Sequence, residues 1–335
     1  MIESISIIES KDTNPYGNLA LEEYLLMHVR PEECILYLWQ NRKTVVIGKN
    51  QNSWKECRIE RLEEDGGFLA RRLSGGGAVF HDLGNLNFTF FARKENYDVE
   101  KQTEVILKAV QSFGIQAKRT GRNDLTVDGK KFSGHAFYQT GDYCYHHGTV
   151  LLQVDTDKMS EYLNVSMDKL RSKSVDSVKS RVENLVSYVP DITVEQMKQA
   201  LIRAFEQVYQ KKAEPFSKER LNDAEIEKAR EKFSSWEWKY GRKIPFQYEI
   251  NKRFSWGNIM IRLNVNGGKI QEAAAYSDML DTEFTAKLEQ ALCGVPHRQK
   301  DMREAVEGIT CENPLQETVK ADIKGCFKEN EQSVP

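Results

Sequence analysis

Apolar residues recur along this chain with two different periods, and the changes of period mark out its elements. Leu21, Tyr24, Leu25 and His28 fall at helical spacing within residues 19–29, which predicts a helix. Residues 34–39 and 44–48 are apolar, β-rich runs that read as strands, with the polar Gln40-Asn41-Arg42-Lys43 turning between them. Residues 86–92 form a further strand. Residues 99–113 are amphipathic: Val99, Thr103, Ile106, Val110 and Phe113 share one side, and Gly114 is a natural C-terminal stop. Residues 125–137 read as a hairpin turning at Asp128-Gly129, which supplies positive φ. Residues 143–154 are the next strand.

Residues 159–185 break the pattern. They are Ser-rich, weakly periodic and basic, and read as a short helix leading into a long loop of the kind that is often functional. Thr193, with Gln196 three residues on, signals a capping box for a helix that buries Val194, Met197, Leu201, Phe205 and Val208. A shorter helix spans 222–233. Past Trp236 and Tyr240 the period drops to two over 246–254 and 258–265. Asn266-Gly267-Gly268 then turns the chain into 269–276, and helices follow at 282–292 and 301–307. This three-stranded meander with helices is large enough for a small second domain, with a boundary near 240–246. No internal repeat is present.

Composition narrows the class. At roughly 100–200 residues per domain, 335 residues correspond to about two domains. Basic and acidic residues nearly cancel, 48 against 50, so no global excess exists to hold a nucleic-acid backbone or an anionic membrane. The first residues lack a basic and then apolar leader, and no apolar run approaches ~18 residues. The six cysteines form neither a C-x-x-C pair nor a zinc or disulfide framework. A cytoplasmic, reducing location is expected.

The most telling stretch is Arg71-Arg72-Leu73-Ser74-Gly75-Gly76-Gly77-Ala78-Val79-Phe80-His81-Asp82. Three consecutive glycines let the backbone approach a ligand, and bare N–H groups in such a turn make an anion-binding nest. A flexible hairpin tip would use the same residues. Arg71 and Arg72 suit bidentate pairing with phosphate or carboxylate. The spacing is neither that of the nucleotide P-loop nor that of the dinucleotide fingerprint. A second stretch, Gly121-Arg122-Asn123-Asp124-Leu125, precedes the arm Lys130-Lys131-Phe132-Ser133-Gly134-His135-Ala136. Asn123 and Asp124 suit a metal, a nucleotide or an Asx turn. Lys131 stands out because the small Gly134 leaves space beside it; the plain reading is a solvated hairpin lysine. In His146-His147-Gly148-Thr149 the adjacent histidines point to opposite faces of a strand. They are therefore poorly placed to share one metal, and at least one is expected in the core or at a hinge.

Taken in order, four of these segments resemble the lipoate–protein ligase A family: R-R-x-S-G-G-G-A-V-F-H-D-L-G-N from Arg71, G-R-N-D-L from Gly121, K-K-F-S-G from Lys130, and H-H-G-T-V-L-L from His146. Leu38-Trp39-Gln40-Asn41, Val45-Val46-Ile47-Gly48-Lys49-Asn50-Gln51-Asn52 and Ser177-Val178-Lys179-Ser180-Arg181-Val182 agree with it, so the likeness covers residues 1–190. The C-terminal meander resembles the accessory domain of the longer members. The resemblance implies an α+β fold of the biotin/lipoate–protein ligase type, with a catalytic domain over 1–243 and a small α+β domain over 244–335. It implies that ATP and Mg²⁺ convert lipoate, or octanoate, to an acyl adenylate, and that the acyl group passes to a lysine of an apo lipoyl carrier domain. That carrier would be the glycine-cleavage H protein or a 2-oxoacid dehydrogenase acyltransferase subunit, with no nucleic-acid or membrane partner, and the protein is expected to be a monomer.

Carried onto these positions, the resemblance makes Lys131 the charge that meets the α-phosphate and the activated carboxyl. Arg72, Ser74, Gly75, Gly76 and Gly77 would line the pocket, His81 and Asn85 its wall, and Trp39 and Val79 the apolar tunnel. Asn123 and Asp124 would face the nucleotide, Asp124 also Mg²⁺. Gly134, Ala136 and Thr149 would leave room for the adenylate, and Lys179, Ser180 and Arg181 would close over the phosphate. His135 departs from the pattern by standing where small residues are common. A rival on the same fold is an ATP-independent acyl transferase, whose cysteine nucleophile would be Cys144. A non-catalytic binding protein on this fold is a third reading.

Overall fold

All seven side chains of the strand Glu33–Trp39 are buried, so the sheet that contains it is covered on both faces. This sheet organises the larger part of the computed structural model, which describes residues 1–120, 124–164, 182–241 and 244–327. The chain forms two compact units: Met1–Ile47, Ser53–Leu73 and Ala78–Lys239 make the first, and Gly48–Asn52, Ser74–Gly77 and Tyr240–Pro335 the second.

In the first unit the strands are β1 (Ser4–Glu9), β2 (Glu33–Trp39), β3 (Thr44–Ile47), β4 (Phe68–Arg71), β5 (Val79–His81), β6 (Asn85–Arg93), β7 (Lys118–Thr120), β8 (Asp124–Val127), β9 (Lys130–Thr140), β10 (Tyr143–Leu151) and β11 (Ala213–Pro215). Eight of them form a mixed sheet in the order β11-β1-β2-β6-β10-β9-β8-β7. β1 runs parallel to β2 and to β11, and the other pairs are antiparallel. A small sheet, β4-β3-β5, completes the unit.

Strand periodicity of two divides the core. Cys34, Leu36 and Leu38 face one way with Leu86, Phe88 and Phe90, and pack with the helices Val99–Gln111 and Val194–Tyr209. Ile35, Tyr37 and Trp39 face the other way, with Phe91 and Tyr145, and pack with the helices Pro15–His28 and Asp223–Ser234. On that second face β6 presents Asn85, Asn87 and Thr89, all buried. The candidate site is described from this polar row.

In the second unit β12 (Tyr248–Phe254), β13 (Gly257–Asn266) and β14 (Lys269–Ser277) form the expected antiparallel meander. Its turn at Gly267 and Gly268 has φ values of 58° and 74°. Ile259, Ile261 and Leu263 pack on Phe284, Leu288, Val306, Val319 and Ile323 from three helices. The architecture is α+β in both units.

Several elements exceed the sequence pattern. The first helix begins at Pro15 rather than residue 19, because Asn14 accepts the Tyr16 N–H and Pro15 occupies the first turn. β5, β7 and β11, of three residues each, are too short for a period to register, and β1, β4 and the helices Ser53–Glu56 and Ile59–Glu64 also lie outside the pattern read above. The helix Pro314–Cys326, capped by Asn313, shows only a thin apolar stripe. The capping box at Thr193 and Gln196 forms as expected, with both reciprocal bonds present. Replacing Thr193 by Ala is expected to cost about 1 kcal/mol of stability, read from the midpoint shift in urea unfolding.

Candidate active site

The strand registers line up one transverse row. Trp39 pairs with Asn87, and Asn87 with Thr149. Thr149 Oγ1 accepts the Gly134 N–H at 3.3 Å, and Gly134 pairs with Asp124. One step along, Thr89, His147 and Ala136 repeat the pattern on the same face.

Strict alternation from Gly134 would put Lys131 on the opposite face. The β8–β9 register breaks this: Leu125 stands opposite Ser133, but Thr126 stands opposite Lys131, so Phe132 is an extra residue. Phe132 enters the apolar core, and Ser133, also fully buried, bonds to His135 at 3.0 Å. A β-bulge of this kind re-aims the next side chain, and Lys131 crosses to the Gly134 face. Its Nζ lies 2.7 Å from where a Cβ on Gly134 would stand, and 2.7 Å from Asp124 Oδ1. The space that Gly134 leaves is here taken by the lysine's own ammonium.

The Trp39 end of the row is buried. Trp39 Nε1 donates to Thr89 Oγ1 at 3.1 Å, and Glu22 Oε1 accepts from Thr89 Oγ1 at 2.7 Å and from His147 Nδ1 at 2.9 Å. Burial pulls the Arg72 guanidinium down to about 10, opposed by nearby Tyr145 and Glu22, so it stays cationic at neutral pH. Burial, then Arg72 and His147, push His81 down to about 3. Val79 packs against the cluster that contains Trp39. Asn85 Nδ2 donates to Asn87 Oδ1 at 2.9 Å, leaving Asn85 Oδ1 and Asn87 Nδ2 buried without a partner among the described residues. Sequence reasoning missed Glu22, Asn87 and Thr89. The alternation Asn85-Leu86-Asn87-Phe88-Thr89-Phe90 was the available signal.

Other expectations are revised. Arg71 is not available for phosphate: its guanidinium donates to the carbonyls of Trp238 at 2.7 Å and Lys239 at 2.8 Å, and to Ser53 Oγ at 2.9 Å. In the second unit the Gly76 N–H is not bare, because it donates to Met279 O at 3.2 Å. A Cβ on Gly75 would stand 2.4 Å from that carbonyl oxygen, so close backbone packing requires glycine there. Asn123, Lys179, Ser180 and Arg181 lie outside the described residues. Among the described residues no group of three or more His, Cys, Asp or Glu side chains could hold a metal, and no helix is long and apolar enough to cross a membrane.

Cys144 sits on the core-facing side of β10, fully buried, and burial pushes its thiol up to about 11. Cys34 and Cys57, also buried, are pushed up to about 12. A nucleophile needs the opposite shift and access. Cys144→Ser is therefore expected to keep acyl transfer within about threefold of wild type in a carrier-modification assay, since surface chemistry is untouched and packing changes little.

The adjacent histidines do face opposite ways. His146 turns into the core, where Nδ1 meets Gln102 Oε1 at 3.1 Å and Nε2 meets His135 Nδ1 at 2.8 Å. Burial drives His135 down to about 3 and lowers His146 as well. From the ordinary value of 6.5 down to about 3, the unfolded chain binds a proton at His81 and at His135 that the folded chain does not. Stability is thus complete above pH 6.5 and falls on acidification by about 1.4 kcal/mol per pH unit for each such histidine. Urea unfolding between pH 7 and 5 should show this slope, and His135→Gln should reduce it.

Residues 14–206 match the lipoyl protein ligase A/B catalytic domain, and residues 243–327 match the bacterial lipoate protein ligase C-terminus. The lipoate–protein ligase A of Psychrobacter cryohalolentis is 39% identical over 318 residues, which cover 92% of this chain and 94% of that protein. The P. falciparum LipL1 structure in complex with lipoate has a TM-score of 0.83 at 30% identity, over 96% of this chain and 100% of that one. A structure from a Thermoplasma acidophilum study of a bi-partite lipoate protein ligase and its E2 lipoyl domain has a TM-score of 0.63 at 26% identity, over 73% of this chain and 99% of that one. This chain belongs to the lipoate–protein ligase A family of enzymes, with both the catalytic domain and the bacterial C-terminal domain.

Proposed function

We propose that this lipoate–protein ligase activates the carboxylate of lipoate, or of octanoate, with ATP and passes the acyl group to one lysine of an apo lipoyl domain. In the first step a carboxylate oxygen attacks the α-phosphorus, the bond to the β-phosphate oxygen breaks, and pyrophosphate leaves. In the second the carrier amine attacks the acyl carbon, the acyl–phosphate bond breaks, AMP leaves, and the amine loses a proton. Both steps need positioning and charge stabilisation rather than a covalent acyl-enzyme.

The observation that carries this reading is the bulge at Phe132, which sets the Lys131 ammonium on the same face as Gly134, Thr149 and Asp124. A compact cation with mobile donors suits both the α-phosphate and the activated carboxyl. Arg72, Trp39, Val79, His81 and Asn85 serve the acyl side, Gly134, Ala136 and Thr149 leave room for the adenylate, and Ser74, Gly75–Gly77, Asn123, Lys179, Ser180 and Arg181 serve the nucleotide. Mg²⁺ asks for one or two carboxylates when nucleotide phosphates supply the other oxygens. Asp124, a partly exposed carboxylate with an oxygen 2.7 Å from Lys131, fits as that hard ligand, where the ion would neutralise phosphate charge. The catalytic domain is assigned to 1–243 and the accessory domain to 244–335. The carrier is a glycine-cleavage H protein or a 2-oxoacid dehydrogenase acyltransferase subunit, and the enzyme works as a cytoplasmic monomer.

Lipoate-dependent ATP–pyrophosphate exchange tests the proposal. Wild type is expected to exchange, and Lys131→Ala to lose about 10²–10³-fold. No exchange in wild type with apo carriers present, or full exchange in the variant, would overturn it.

A further inference from the structure

One buried nitrogen near Trp39 has no hydrogen-bond partner among the described residues. His81 Nε2 is inaccessible and makes no hydrogen bond to the described residues, while Nδ1 lies 3.2 Å from Asn41 Nδ2. The protonation of this ring follows from its neighbours. Asn18 Nδ2 lies 3.1 Å from Asp12 O and 2.8 Å from Gln40 O, and backbone carbonyls only accept. That atom is therefore the amide nitrogen, consistent with Tyr37 donating to Asn18 Oδ1 at 3.0 Å. The Asn41 atom 3.0 Å from Asn18 Nδ2 must then be its oxygen. The other Asn41 atom, facing His81, is thus the nitrogen and donates. His81 Nδ1 accepts, so the ring proton sits on Nε2.

We infer that Asn18 and Asn41 are positioning residues that lock His81 as the Nε2–H tautomer, and that this donor recognises a sulfur of the lipoate dithiolane. The inference rests on the ligase reading above. Its placement comes from the sheet. His81 lies against Trp39, with ring centroids 6.2 Å apart, and Trp39 stands three strands from Gly134, where Lys131 Nζ lies. Three strand spacings are about 14 Å, a span that an extended eight-carbon acyl chain with its terminal ring can largely bridge. With the carboxyl at Lys131, the dithiolane reaches the His81 end. A neutral ring suits a weak, uncharged acceptor; burial, Arg72 and His147 keep it neutral. Octanoate has no acceptor there and leaves the donor unpaired, a penalty on which discrimination can rest.

The test joins ¹⁵N NMR of the His81 ring with the ratio of kcat/KM for lipoate over octanoate. Wild type should show the Nε2–H ring. Asn41→Asp, which replaces the donor by an acceptor, should reverse it to Nδ1–H, and the lipoate-to-octanoate ratio should fall by about fivefold or more. His81→Leu should lower the ratio similarly, and it serves if Asn41→Asp does not fold. An Nδ1–H ring in wild type, an unreversed or charged ring in Asn41→Asp, or an unchanged ratio in the folded variants overturns the inference. Wild type inactive on both acids would instead refute the ligase reading, while the ring measurement would still stand.

Discussion

A pleated sheet sends alternate side chains to opposite faces, and both faces of this one are covered. A β9 residue that serves the proposed site therefore has to lie on the side that carries Asn87 and Thr149, not the side packed by Phe88 and Phe90. The extra residue at Phe132 meets that constraint for Lys131. It sacrifices regular pairing at one point of the β8–β9 ladder, and the burial of Phe132 in the core helps to offset that loss. Without the bulge the same lysine would face the helices, where a buried ammonium is costly.

The rest of the site follows from the same face. Helix Pro15–His28 covers it and contributes Asn18 and Glu22, two polar side chains buried in a helix otherwise packed by Leu19, Leu25 and Leu26. Each polar group is held by others: Glu22 by Thr89 and His147, Asn18 by Tyr37, Asn41 and two carbonyls. The groups left without partners among the described residues are informative because a buried unpaired donor or acceptor costs about 1–3 kcal/mol. His81 Nε2, Asn85 Oδ1 and Asn87 Nδ2 fall in this class at one end of the row. A ligand that satisfies them recovers part of that cost.

The two faces also separate the two chemistries considered for this fold. Cys144 belongs to the packed face, where burial raises its thiol, and Lys131 to the face that carries the polar row. The buried pair His135 and His146 lies with Cys144 and serves as core polar packing through Gln102 and Ser133. His135 therefore does not narrow the site from the Gly134 side. Its neighbours in sequence, Gly134 and Ala136, face the site row instead.

The sequence by itself determined the family, the order of the longer elements, the meander and the chemical groups available. These depend on local periodicity, turn residues such as Asp128-Gly129 and motif spacing, all of which act within a few residues. Tertiary structure decided which groups meet. Alternation in Lys131-Phe132-Ser133-Gly134 would separate Lys131 from Gly134; only pairing with β8 reveals the extra residue. Arg71 and Arg72 are adjacent and chemically alike, yet one is held by the carbonyls of Trp238 and Lys239 while the other lies near Glu22 and His81. The tautomer of His81 depends on Asn18, Tyr37 and Asn41, from a helix, a strand and a turn. Strand register and long-range hydrogen bonds join residues far apart in the chain, and no local pattern records which partner each will find.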